Sequence, residues 1–195
     1  MKRGELVQLR PEARVEEISD AGLVAACAAG DRAARAMLFE RHVDVVHRFI
    51  ARMRGADAAA VDDMVQACFL RAFRAAARFR GTSARSWLFG IAANVVKEHA
   101  RSEIRRKRAL GAIAELWPRT VAPPDPSLAR LPAAIAALPH KLRAAFVLVD
   151  LEGERGSDAA AALGVPEGTL WRRVYEARVR LREALGGDPP AGGSR

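Results

Sequence analysis

From Thr169 to Glu183 the chain sets Arg172, Arg173, Arg178, Arg180 and Arg182 against Glu176 and Glu183, a local charge of +3. Leu170, Val174, Ala177 and Leu181 recur at helical spacing, so they make an inward stripe and leave Trp171, Arg172 and Arg173 outward. Exposed residues near the start of such a helix reach base edges in the DNA major groove, where Arg is the usual reader of guanine. Residues 101–108, RSEIRRKR, hold five basic side chains against one Glu, a local +4. An apolar helix that turns this basic leaves the core and faces solvent or phosphate. The chemistry on offer is recognition of a polyanion.

Bond-making chemistry finds little support in the spacing. Metal-assisted nucleotide cleavage or transfer needs clustered carboxylates. The adjacent pair Asp62-Asp63 instead diverges by about 100° on a helix. His42, His47, His99 and His140 are read as lacking a nucleophile or carboxylate partner at useful spacing. Cys27 and Cys68 lie far apart, with no CxxC and no histidine spaced for zinc, and both fall on apolar faces suited to packing. The expectation is no metal, no cofactor, no small-molecule substrate and no enzyme.

Helices must carry these residues. The 195-residue chain is 50% hydrophobic but 6% aromatic, and is rich in Ala, Leu and Arg, which are strong helix formers. The alternating β-branched and aromatic runs of strands are missing. Ser19-Asp20 offers an N-cap to a short helix ending at Gly30, and Asp31 caps the next, with Phe39, Val43, Val46, Ile50 and Met53 on one buried face. Val61, Val65, Cys68, Ala72 and Ala76 mark a further helix. Ser83 caps another, carrying Trp87, Leu88, Ile91, Val95 and Val96.

Pro118, Pro123, Pro124, Pro126 and Pro132 rule out a continuous helix across residues 118–132 and mark a boundary. Beyond it, Leu138, Leu142, Ala145, Phe146 and Val149 predict a helix ending near Gly153. A short segment from Ser157 to Leu163, the turn Gly164-Val165-Pro166 and the Arg-rich helix make a helix-turn-helix, with Pro166 in the first turn. The expected architecture is all-α: a tail over 1–18, a helical domain over 19–110, a Pro-rich linker over 111–132, a helix-turn-helix domain over 133–185 and a tail over 186–195. A formal charge of +9 fits a polyanionic partner. No stretch approaches the roughly 18 apolar residues of a membrane span, and the N-terminal residues lack a signal-peptide core, so a cytoplasmic location is expected.

The segment Asp63-Met64-Val65-Gln66-Ala67-Cys68-Phe69-Leu70-Arg71-Ala72-Phe73 resembles the clamp-docking helix of bacterial RNA polymerase sigma factors. Arg78-Phe79-Arg80-Gly81 and Trp87-Leu88-Phe89-Gly90-Ile91-Ala92-Ala93-Asn94 resemble their promoter-melting, −10-reading stretch. Leu138-Pro139, Gly164-Val165-Pro166-Glu167-Gly168-Thr169 and Ala177-Arg178-Val179-Arg180-Leu181 resemble their −35-reading domain. Order, spacing and linker over about residues 20–185 resemble the extracytoplasmic-function (ECF) group of the sigma-70 family.

That resemblance implies core RNA polymerase as partner, docked by Asp62, Asp63, Gln66 and Leu70. It implies that the loop from Phe79 to Arg85 captures a flipped −10 base, with Phe79, Thr82 and Ser83 stacking on it and hydrogen-bonding to it. Asn94, Lys97 and Arg101, with Arg105 and Arg108 beyond, would line the groove for the strand. Thr169, Trp171, Arg172, Arg173, Glu176 and Arg180 would meet the −35 element. Promoter DNA and an anti-sigma factor complete the implied partners.

Three departures stand out. Ala67 replaces a commonly acidic residue, Glu154-Arg155-Gly156 replaces a Ser-led cap, and Ala159 and Ala162 replace larger apolar residues. The second domain is therefore expected to be the less stable. A stand-alone helix-turn-helix regulator of duplex DNA is the rival reading. It leaves residues 86–108 and the Asp63 segment unexplained.

Overall fold

Short polar residues open the helices where the sequence places them. The Ser19 hydroxyl accepts the Gly22 N–H at 3.1 Å and starts α1 (Asp20–Ala28). Asp31 Oδ1 accepts the N–H groups of Ala33 and Ala34 at 2.8 and 3.1 Å, at the head of α2 (Arg32–Arg54). Each cap satisfies backbone donors that the first helical turn leaves unpaired. α3 (Ala59–Ala75) runs into a 3₁₀ turn, Ala76–Arg78. Ser83 Oγ then accepts the Ser86 N–H at 3.1 Å and opens the long α4 (Ala84–Leu110). This computed structural model describes residues 18–54, 59–81, 83–110 and 130–186, all helical or connecting, with no strand among them.

Packing in the first unit follows the apolar periodicity. Phe49, Ile50 and Met53 of α2 meet Met64 and Cys68 of α3 and Leu88 and Phe89 of α4, all fully buried. The Phe49 and Phe89 rings stack with centroids 4.7 Å apart. A smaller cluster of Leu23, Val24, Cys27, Ala34 and Leu38 seats α1. Both cysteines are buried free thiols, as expected, and burial pushes Cys68 up to about 12. Phe39 departs from the expected buried face. It is 39% exposed and meets Phe69 edge-on at 4.8 Å.

The second unit holds α5 (Arg130–Ala137), α6 (His140–Phe146), α7 (Gly156–Leu163) and α8 (Glu167–Ala184). The one helix expected to reach Gly153 is broken at Leu138-Pro139, because Pro139 has no N–H to continue α5. The Arg143 guanidinium fills the break, donating to the carbonyls of Ala136 and Leu138 and to that of Met53 at the end of α2. α5 also starts inside the span expected to be linker, with Pro132 in its first turn, where no N–H is needed. Past Phe146 the helix widens into a π turn over Val147–Leu151, and Gly153 turns the chain at φ +69°. Pro166 is the residue before α8, one position earlier than expected.

The two units share one core. Cys68, Phe89 and Val96 belong to the same buried cluster as Leu142, Leu148, Leu170 and Val174. α4 and α7 meet at Gly90 and Ala162, where a Cβ on residue 90 would collide with the Ala162 carbonyl oxygen and lie 2.9 Å from its carbon. The small residues of α7, including the fully buried Ala159, are thus what lets the two helices close.

Candidate polymerase and nucleic-acid interfaces

Asp62, Gln66 and Leu70 follow one another at steps of four on α3, so they share a face. That face and α2 enclose an open groove of about 440 Å³ lined by Phe39, Val43, Val65, Phe69 and Phe73, with Asp62, Gln66 and His47 among its polar groups. Leu70 is 49% exposed within it. Asp62 lies 3.4 Å from His47 Nε2. Asp63 is exposed but does not line the groove.

Asn94, Lys97, Arg101, Arg105 and Arg108 fall within about 80° of arc on α4, at 100° per residue. All but Lys97 are exposed. The glutamates of this helix are drawn elsewhere, Glu98 to Arg71 at 2.7 Å and Glu103 to Arg54 at 2.6 Å. The basic stripe carries no ion pair among the described residues. Phe79, half-buried, packs on Trp87 at 5.2 Å, and Ser83 is spent on capping α4. Both shape the loop from within, while Thr82 lies outside the described residues.

On α8, Leu170, Val174, Ala177 and Leu181 are buried, as the stripe predicts. Arg172 is exposed, and Trp171 is 44% exposed, with its Nε1–H donating to Glu167 at 3.2 Å. Thr169 is half-buried, and Glu176 pairs with Arg180 at 2.8 Å. Arg173 was expected to face outward beside Arg172 but is half-buried. It lines a cavity of about 130 Å³ at the seam, together with Asn94, Lys97, His140 and Lys141. The reason is its place next to Val174, on the flank of the stripe that packs on α6 and α7, where its side chain reaches the seam with α4.

At the same seam Glu152 pairs with Arg52 and Arg85, and Glu154 with Arg85 and Ser86. His140 Nε2 lies 3.0 Å from the Ala93 carbonyl.

Residues 38–106 match the sigma-70 region 2 family and residues 128–181 the sigma-70, region 4 family. Over 176 residues the chain is 39% identical to the ECF RNA polymerase sigma factor SigM of Mycobacterium tuberculosis, covering 87% of this chain and 86% of that protein. This chain is a member of the ECF sigma factors. Among solved structures, the sigma factor is similar to RpoE of Bartonella quintana in complex with the anti-sigma factor NepR. That match has TM-score 0.59 and 26% identity, over 77% of this chain and 95% of that one. It is similar also to CnrH in complex with the cytosolic domain of CnrY, with TM-score 0.62 and 28% identity, over 86% and 97%. A stand-alone regulator would leave the region 2 match without a counterpart.

Several features of the sigma factor were not legible in its spacing. Three of the four histidines do have carboxylates nearby. His42 reaches Asp20 at 2.9 Å, His47 reaches Asp62 and His99 reaches Glu103 at 3.7 Å. The first two partners come from other helices, which sequence separation hides; the third is an i,i+4 pair on α4 that could have been read. Tyr175 is 62% exposed one turn beyond Trp171, and its signal in the sequence is an aromatic at i+4 of an outward residue. Arg178, counted in the basic helix, is held by Asp150 at 2.5 and 3.1 Å.

Burial holds the His140 imidazole below its ordinary range, with Arg143, Lys97 and Arg101 acting the same way against the Ala93 hydrogen bond. Burial lowers His42 likewise. A folded pKa below the unfolded value means that acid protonates the unfolded chain first. This stability is therefore intact above about pH 6.5 and is lost as pH falls below it. Thermal midpoints should drop between about pH 7 and 5.5, and drop less in His140→Gln. An equal fall in both proteins would remove His140 from the account.

Proposed function

We propose that this promoter-recognising sigma factor docks on core RNA polymerase through the α2–α3 groove and reads two promoter elements with two separate units. Residues 19–110 form the unit that docks and melts, and residues 133–185 the unit that reads −35. Asp62, Gln66 and Leu70 meet a clamp helix from the groove, and Asp63 supplies charge beside it. The α4 stripe from Asn94 to Arg108 tracks the −10 strand behind the Phe79–Ser83 loop. Thr169, Trp171, Arg172, Glu176 and Arg180 meet −35 DNA, and Arg173 joins them once it leaves the seam cavity. An anti-sigma factor is the regulatory partner, as in both similar solved complexes. The protein acts in the cytoplasm and catalyses no reaction of its own. The observation that carries this reading is the apolar groove with polar residues at its edge, on the same unit as a basic helix stripe that holds no ion pair among the described residues.

The test is promoter-directed transcription from genomic fragments, with and without core polymerase. The isolated protein should bind promoter DNA weakly, since core must hold two modest readers at fixed spacing to raise their effective concentration. In the same assay Arg172→Ala should cost about 1–3 kcal/mol and relax preference at one or two −35 positions. Arg180→Ala should weaken all sequences alike and lower the salt slope by about one. Tight, sequence-specific duplex binding without core, and no transcription with it, would return the protein to the regulators.

A further inference from the structure

The turn between α6 and α7 carries two carboxylates into the first unit. Glu152 is 3% exposed and Glu154 is 7% exposed at the side chain. Arg52 Nη1 donates to Glu152 Oε1, and Arg85 Nη2 donates to Glu152 Oε2 and to its backbone carbonyl at 3.1 Å each. Arg85 Nε lies 3.2 Å from Glu154 Oε1, and the Ser86 hydroxyl donates to Glu154 Oε2. Two guanidinium groups and a hydroxyl converging on anionic oxygens are the donor set that also grips phosphate. They sit where the −10 loop enters α4, with the Arg85 guanidinium over the Phe89 ring at 5.3 Å.

The arrangement cannot persist on a promoter. Elements named −35 and −10 are about 25 base pairs apart, or about 85 Å at 3.4 Å per step. Here Arg173 of the −35 reader and Asn94 and Lys97 of the −10 reader line one cavity of about 130 Å³. The units must part before both can be read. Parting returns Glu152 and Glu154 to water and leaves Arg52 and Arg85 beside the melted strand without their carboxylates. A buried charge cluster loses most of its attraction to desolvation, so it specifies the closed geometry without making it permanent.

We propose that Arg52, Arg85 and Ser86 form a phosphate-binding site for the promoter strand, and that Glu152 and Glu154 occupy it as phosphate mimics in the free chain, keeping the two readers together. The inference rests on the sigma-factor reading for its promoter strand, and its physics is tested apart from transcription.

Two variants of the full-length chain open the seam by different means. Glu152→Gln with Glu154→Gln removes the mimic charges. Gly90→Ala places a Cβ against Ala162 and substitutes a better helix former, so α4 itself is not weakened. Both should raise the radius of gyration in X-ray scattering. With an open fraction of about one tenth in the native chain, both should tighten binding to a mixed-sequence 25-nucleotide single strand about tenfold. Adding Arg85→Ala to Gly90→Ala should reverse part of that gain. It should also lower the slope of log affinity against log salt by about 0.7, one single-strand phosphate. If neither variant expands, the turn is no latch. Expansion without tighter DNA binding, or an unchanged salt slope in Arg85→Ala, rules out the phosphate site. Absent transcription with core polymerase, while the scattering and binding differences persist, would count against the sigma-factor reading alone.

Discussion

Phe49→Ala is expected to cost about 3–5 kcal/mol of stability. The ring is fully buried between α2 and α4 and stacks on Phe89, so truncation removes both its transfer free energy and an aromatic pair. Collapse cannot refill the space cheaply, because it is framed by α2 and α4, helices of 23 and 27 residues that cannot bend around one missing ring. For a chain of this size the loss corresponds to a fall in melting midpoint on the order of 10 °C. The first unit should melt in one transition, and the second should melt with it only while the seam stays closed. A cost below about 1.5 kcal/mol would mean that the site relaxes far more than a close-packed core allows.

Leu70→Glu should abolish practical association with core polymerase while leaving the fold intact. Leu70 is the half-exposed apolar residue on the face that Asp62 and Gln66 share. Interface anchors seated in apolar grooves cost about 2–4 kcal/mol when lost, or about 30- to 1,000-fold in affinity. A buried glutamate in place of leucine belongs at the upper end. Gln66→Lys should weaken docking through the same groove, and Asp63→Lys should do less, since it stands outside the lining. Competition for core against a labelled sigma factor measures all three, with melting midpoints as the control. Wild-type affinity in Leu70→Glu would show that the polymerase meets another face.

Much of the fold could be read because local physics fixes it. Ser19, Asp31 and Ser83 cap the helices they were expected to cap, and the stripe from Leu170 to Leu181 is buried as its spacing requires. The Arg-rich α8 and the basic stripe of α4 were legible for the same reason. What escaped lies between elements distant in sequence. Nothing local says that Gly90 will meet Ala162, or that Glu152 will cross to Arg52 and Arg85. The departures at Glu154-Arg155-Gly156 and at the α7 alanines read as lost caps and lost bulk. Their roles appear only once the seam is closed. The break at Leu138-Pro139 was hidden because the flanking apolar residues keep a helical period across it.

The two buried thiols make the protein its own unfolding reporter. Only thiolate is readily alkylated. Cys68, at about 12, and Cys27, also raised by burial, present almost none while the helices are packed. Alkylation therefore waits for local opening, and its rate measures how often that opening occurs. Cys27 belongs to the cluster that seats α1, whereas Cys68 belongs to the core shared by both units. One reagent thus supplies two clocks, one for release of the first helix and one for loss of the whole.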